Sequence, residues 1–213
     1  MSFQTIPVQV TGPSYQSRSK PLSSQSTQNW YQQFDEQGKD PYVLLPFAFV
    51  NNQFLYTKGG FTEVSGSAIG PGYTIVSNVG DGSTANGLNI IGAESSPDFL
   101  LRDYVYDQVI YRFGVRTTEP WYNSGQGNPP IDRLDGRLFT IGLGAINSIA
   151  ETDKALYWLG DDFAIYREIG GREERISTDA ISNELQKYTD VSDAIGNSFT
   201  FEGQNFYQIT FPT

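Results

Sequence analysis

Asn51-Asn52-Gln53-Phe54-Leu55-Tyr56 is echoed three times along the chain, by Tyr106-Asp107-Gln108-Val109-Ile110-Tyr111, Thr152-Asp153-Lys154-Ala155-Leu156-Tyr157 and Glu202-Gly203-Gln204-Asn205-Phe206-Tyr207. In each, a polar turn pair leads through Gln or Lys into a short strand that ends on Tyr. The tyrosines stand 55, 46 and 50 positions apart, close to the ~40–50 residues that make one propeller blade. Further strand-like pieces surround them: Tyr73 to Val76, Ile110 to Val115, Phe163 to Tyr166 and Phe199 to Phe201. The pattern predicts an all-β chain built as a propeller-like array of small antiparallel sheets.

Composition agrees with that class. Aliphatic residues are few, but three Trp, 13 Tyr and 14 Phe can each bury a large area. With 22 Gly and 11 Pro, these are materials for short strands and tight turns, not long helices. One helix is predicted near 178–188, capped by Ser177 or Thr178, with Ile181, Leu185 and Tyr188 at i, i+4 and i+7 on one face. Its expected role is to plug one side of a sheet.

The chain has neither His nor Cys. That excludes imidazole- or thiolate-based nucleophiles, zinc sites with those ligands, disulfides and redox pairs. Carboxylates, Lys, Tyr, Ser, Thr or an oxygen-ligated metal remain for chemistry. The 24 acidic and 14 basic side chains give a net charge of −10, which opposes tight binding to phosphate backbones. An acidic wall would instead let a duplex slide past. Met1 to Val10 does not read as a secretory signal, and the apolar run Tyr42 to Val50, broken by Pro46, is too short to cross a bilayer; a soluble protein is expected.

Two regions are predicted: an extended N-terminal arm over 1–40 and a propeller-like domain over 41–213. Thr11 to Asp40 is rich in Ser, Gln and Pro, and can hardly bury enough to fold alone. It reads either as a flexible leader or as an arm lying against a neighbouring subunit, with Arg18, Lys20, Trp30 and Tyr31 as contact residues.

Several runs invite chemical readings. Gly80-Asp81-Gly82-Ser83-Thr84-Ala85-Asn86-Gly87 lacks the Lys-Ser/Thr ending of a phosphate loop and reads as a hairpin loop, with Ca²⁺ binding through Asp81 as the lesser alternative. Asp161-Asp162 lies between two strands, where a turn is the simpler reading than a catalytic pair. Glu119-Pro120-Trp121-Tyr122-Asn123-Ser124-Gly125 carries two large aromatics. It reads as a strand whose Trp is core and whose Tyr faces out, or as a contact surface formed by Trp121 and Tyr122. The run from Arg167 to Arg175 is charge-balanced and reads as a solvated turn.

Ser96-Pro97-Asp98, Thr117-Thr118-Glu119-Pro120-Trp121-Tyr122-Asn123-Ser124-Gly125, Ala155-Leu156-Tyr157-Trp158-Leu159-Gly160, Arg175-Ile176-Ser177-Thr178-Asp179-Ala180-Ile181, Val191-Ser192-Asp193-Ala194-Ile195 and Phe206-Tyr207-Gln208-Ile209-Thr210-Phe211-Pro212-Thr213 resemble runs of the packaged-DNA stabilisation proteins in tails of P22-like bacteriophages. The opening from Ser17-Arg18-Ser19 to Asn29-Trp30-Tyr31 is similar too. The resemblance implies a non-enzymatic virion protein: a tail hub, nozzle or head-to-tail connector, assembled as a ring, commonly a hexamer, beside the portal and its adaptor. It implies retention of packaged DNA, passage of that DNA at ejection, and synthesis in the host cytoplasm. No catalytic, metal or cofactor residues come with it. Members of that family run longer, so the array is expected to be incomplete or completed by another chain. The competing reading is a carbohydrate-binding or carboxylate-dependent glycoside-processing propeller, using Asp98, Asp103, Asp161 or Asp162 with Trp121 and Tyr122.

Overall fold

The computed structural model describes residues 28–29, 47–62, 68–85, 89–92, 98–152 and 154–212. Within them, short strands alternate with turns, because aromatic and β-branched runs are interrupted by residues that tolerate positive φ. Asn51-Asn52, Asp107-Gln108 and Glu202-Gly203 all have φ between 46° and 75° at both positions. That is the two-residue hairpin turn whose twist matches right-handed strands.

In chain order the strands are β1 Gln28–Asn29, β2 Phe47–Val50, β3 Gln53–Thr62, β4 Ala68–Val76, β5 Thr84–Ala85, β6 Ile90–Gly92, β7 Leu100–Tyr106, β8 Val109–Gly114, β9 Thr118–Asn123, β10 Ile131–Arg133, β11 Ala150–Glu151, β12 Leu156–Leu159, β13 Ile165–Ile169 and β14 Arg172–Arg175, then helix α1 Asp179–Leu185, β15 Ile195–Phe201 and β16 Gln204–Thr210. They pair antiparallel as sheet 1 (β2-β3-β4-β6), sheet 2 (β7-β8-β9-β10), sheet 3 (β11-β12-β13-β14) and sheet 4 (β15-β16), with a small ladder of β1 on β5. The array of small up-and-down sheets is the one anticipated from the repeat. Each echo marks the first hairpin of a sheet: β2-β3, β7-β8, β11-β12 and β15-β16.

The echo is looser than its wording. In sheet 2 the turn falls one residue later than in sheet 1, and a one-residue shift sends a side chain to the other face. Tyr111 accordingly packs toward sheet 3 with Trp158, whereas Tyr56 packs with Ile75 and Ala85 on the opposite side of sheet 1 from its core face.

Three cores lie between consecutive sheets. Ala48, Val50, Leu55, Val76 and Ile91 of sheet 1 meet Ile110, Trp121 and Ile131 of sheet 2. Tyr111 and Phe113 of sheet 2 meet Leu156, Trp158 and Tyr166 of sheet 3, with Phe139, Leu143 and Ile149 of the connecting segment filling in. The Phe113 ring meets Trp158 edge-on at 5.5 Å, and Phe139 stacks on it at 6.4 Å. Leu159 and Ile165 of sheet 3 meet Tyr207, Ile209, Phe211 and Leu185.

Thr178 caps α1, its Oγ1 accepting from the Ile181 N–H at 3.4 Å. The helix is shorter than the sequence spacing predicts. Ser182 and Leu185 are its buried residues, and Ile181 is exposed. Tyr188 lies beyond it and stacks on Phe211 at 4.8 Å. The three-residue stripe is therefore corrected: of Ile181, Leu185 and Tyr188, only Leu185 is buried in the core, beside Ser182 one turn earlier.

Candidate functional site

Arg18, Lys20, Trp30 and Tyr31 lie outside the described residues. Trp121 and Tyr122 are described, and β9 separates them as alternation requires. Trp121 is 3% exposed. Its indole N–H donates to Glu119 Oε2 at 3.1 Å, and the Arg112 guanidinium lies over its ring at 4.9 Å. The indole is therefore part of the contact between sheets 1 and 2 and offers no face to another molecule. Tyr122, 39% exposed, is the member of the pair that reaches the surface.

The carboxylates named for sugar chemistry each have an internal partner. Asp98 Oδ2 accepts from the N–H groups of Arg116 and Thr117 at 2.8 Å each and from the Thr117 hydroxyl at 3.0 Å, shaping the β8-β9 turn. Asp161 Oδ1 accepts from the Gly142 N–H at 2.9 Å. Asp162 accepts from the Ala164 N–H at 3.0 Å and from the Tyr166 hydroxyl at 2.7 Å. Burial, and then this carboxylate, raise the Tyr166 pKa.

Asp103 is fully buried on β7. Its Oδ1 accepts from Arg112 Nε at 3.1 Å, and its Oδ2 accepts from the hydroxyls of Thr57, at 2.9 Å, and Thr74. Arg112 also donates to the carbonyls of Gly92 at 2.7 Å and Ile91 at 3.2 Å. Thr57, Thr74, Ile91 and Gly92 belong to sheet 1, Asp103 and Arg112 to sheet 2. The cluster is a buried polar bolt between two sheets, not a pair aimed at a cleft.

The Gly80 to Ala85 turn closes over itself. Asp81 accepts from Ser83 N and Oγ and from Thr84 Oγ1, at 2.6–2.9 Å, and these bonds, that of the Ser83 side chain foremost, lower its pKa. Among the described residues, no three His, Cys, Asp or Glu side chains gather where they could hold a metal ion. The Arg167-to-Arg175 run forms the outer hairpin of sheet 3, where Arg167 pairs with Glu174 at 2.8 Å; charge at an edge strand discourages pairing with other chains.

The features that sequence reasoning missed are two exposed aromatic patches. Phe47, Phe49 and Ile90 are exposed on sheet 1, and Ile195, Phe199, Phe201 and Phe206 on sheet 4. Their signal was present in the alternation of Phe47-Ala48-Phe49-Val50 and of Phe199-Thr200-Phe201. What alternation leaves open is which face another sheet covers.

The protein-family model described as bacteriophage P22 Gp10, beta-propeller, matches residues 50–213. The match spans the four sheets from the first hairpin turn onward. No curated protein matches the chain.

Proposed function

The chain belongs to the family of the bacteriophage P22 Gp10 β-propeller, and from that premise we propose that this phage structural protein is a tail hub, nozzle or head-to-tail connector. It assembles as a ring of its own copies next to the portal, adaptor or other tail proteins. In that position it retains packaged DNA and forms part of the conduit through which DNA leaves.

The observation that carries this reading is the family match, which runs through all four sheets of the array. The chemistry of the chain supports it. A net charge of −10 without a basic run suits a wall along which DNA travels without adhering, since adhesion to the duplex requires neutralised phosphates. The polar groups that could have served catalysis instead fix turns and join sheets, as the partners of Asp98, Asp103, Asp161 and Asp162 illustrate.

The test is mass spectrometry of purified virions of the source phage, followed by imaging of the particle to locate the chain. The reading expects stoichiometric amounts of the protein at the tail vertex. Virions that lack it would sink the assignment.

A further inference from the structure

Two Asp-Gly pairs stand on turns of the described chain, Asp81-Gly82 and Asp135-Gly136, and the fold treats them in opposite ways. Such a pair is chemically weak, because glycine has no Cβ to keep its amide nitrogen away from the preceding side-chain carboxyl. Whether the nitrogen reaches that carboxyl depends on what else holds the two groups.

Asp81 is held. Its Oδ1 accepts from the Ser83 N–H at 2.9 Å and from the Ser83 hydroxyl at 2.6 Å, and its Oδ2 accepts from the Thr84 hydroxyl at 2.7 Å. These bonds favour the ionised carboxylate and lower its pKa, whereas ring closure consumes the protonated form. Gly82 is held as well. Its carbonyl accepts from the Tyr56 hydroxyl at 2.8 Å, and a Cβ on it would meet the Phe54 ring at 2.6 Å.

Asp135 is not restrained in this way. Its side chain is 91% exposed and pairs with Arg133 at 3.3 Å, and an ion pair in water holds a carboxylate weakly. Gly136 has φ 76°, and nothing lies within 4 Å of where its Cβ would be. The turn is closed by the Arg137 N–H donating to the Leu134 carbonyl at 3.2 Å. Opening it disturbs no core side chain of the array.

We propose that Asp135 is a site of spontaneous covalent modification, at which the Leu134–Arg137 turn converts aspartate to isoaspartate. The Gly136 amide nitrogen attacks Asp135 Cγ in its protonated carboxyl form. A C–N bond forms, the C–OH bond breaks, and the hydroxyl leaves with the amide proton as water. Water then opens the succinimide ring at either carbonyl. Opening at Cγ restores Asp135. Opening at the Asp135 backbone carbonyl leaves Gly136 bonded through Cγ, with an extra methylene in the main chain. One water is lost and one regained, and nothing is oxidised or reduced.

The longer main chain no longer fits the turn, and the turn positions Arg137. Its guanidinium occupies the space where a Cβ on Gly171 would stand, at 2.5 Å from Nη1. Gly171 belongs to the β13-β14 hairpin of sheet 3, and its N–H donates to the buried Glu168 carboxylate at 2.6 Å. Isoaspartate at 135 therefore lifts Arg137 from that hairpin and uncovers the Gly171 amide. A virion does not renew its proteins, so in the proposed setting the product accumulates with age; the chemistry itself does not depend on that setting.

The test is storage of the full purified chain in neutral buffer at physiological temperature, sampled over weeks. Isoaspartate is located by electron-transfer fragmentation of peptides and by methyl transfer from S-adenosylmethionine with an isoaspartyl methyltransferase. Deamidation of Asn86, which lies outside the described residues, is told apart by the mass it adds. Each hydrogen bond on Asp81 that must open is worth a factor of about 2–10 in population, so Asp135 is expected to lead Asp81 by at least about tenfold. In urea the two sites should converge. Equal accumulation at both in the folded chain, none at Asp135, or the same gap in urea would overturn the proposal.

Two variants read the cause and the consequence. Ser83→Ala with Thr84→Val should raise isoaspartate at Asp81 and leave Asp135 unchanged; an unchanged Asp81 would overturn the protective role of those bonds. Asp135→Glu keeps the charge but closes only a larger, slower-forming ring. Hydrogen exchange at Gly171 should quicken in the aged unsubstituted chain and stay constant in aged Asp135→Glu. Modified chain with unchanged exchange there would overturn the release of Arg137.

Discussion

Arg112 and Asp103 form a buried ion pair, Nε to Oδ1 at 3.1 Å with both side chains at most 3% exposed, and the pair is held in place by groups of the neighbouring sheet. Each charge is compensated by its partner and by Thr57, Thr74 and two carbonyls. Removing one partner leaves the other buried and uncompensated, which costs about 3–5 kcal/mol. Asp103→Asn or Arg112→Met is expected to lower stability by that amount in urea unfolding. The double change Asp103→Asn with Arg112→Met is expected to cost much less than the sum of these two single changes, as a double-mutant cycle would read directly.

Trp121 and Tyr122 are expected to part company under alanine substitution. Trp121→Ala removes a core indole from between sheets 1 and 2 and should cost about 3–5 kcal/mol. Tyr122→Ala touches a surface ring and should change stability by no more than about 0.5 kcal/mol. Thermal unfolding of the two variants side by side checks the order.

Gly196 allows sheet 4 to dock. Its N–H donates to the Asn147 carbonyl at 2.8 Å, and a Cβ there would strike the Ser148 carbonyl. The Tyr207 hydroxyl donates to that same carbonyl at 2.7 Å. Gly196→Ala should therefore loosen the β15-β16 hairpin from sheet 3. Amide hydrogen exchange should accelerate in 195–210 while the β7-β8 hairpin keeps its protection.

Asp98→Ala removes the acceptor of two turn N–H groups and one hydroxyl. Leaving these donors without their carboxylate is expected to cost about 1–3 kcal/mol. Asp98→Asn should recover part of it, since an amide oxygen still accepts. Urea midpoints of the three proteins give the comparison.

Stability should fall on the alkaline side. Burial raises the pKa of Tyr111, with Glu168 adding to it, that of Tyr166, with Asp162 adding to it, and that of Tyr207. The folded state thus holds these protons more tightly than the unfolded chain, whose phenols titrate near pH ~10. Their contribution is intact below that pH and is lost as the pH rises through the higher folded values. Urea midpoints should drop steeply above pH ~10, and replacing the three tyrosines with Phe should flatten that slope even where it lowers the baseline.

Much of the array was legible because its signals are local. Asn51-Asn52 and Glu202-Gly203 stand where the repeat places its turn pair, while in sheet 2 the turn falls on Asp107-Gln108, one residue later than the repeat places it; the alternating runs beside them announce strands. The Trp121/Tyr122 split was also readable as one of two alternatives, since neighbours on a strand face opposite ways. Ile181 was misassigned to the helix's buried stripe because periodicity defines a face but not how much of it a neighbour covers.

The sequence by itself determined the strands, their turns and the all-β class, since φ preference and period-2 alternation act over a few residues. Only the tertiary structure decided what those strands present. Asp103 reads as a possible catalytic carboxylate until Thr57, 46 positions away, and Arg112 close around it. Phe47 and Phe199 read as ordinary strand aromatics until the stacking order of the described sheets leaves them exposed. Burial and charge compensation arise where sheets meet, and that meeting joins residues whose separation along the chain carries no local signal.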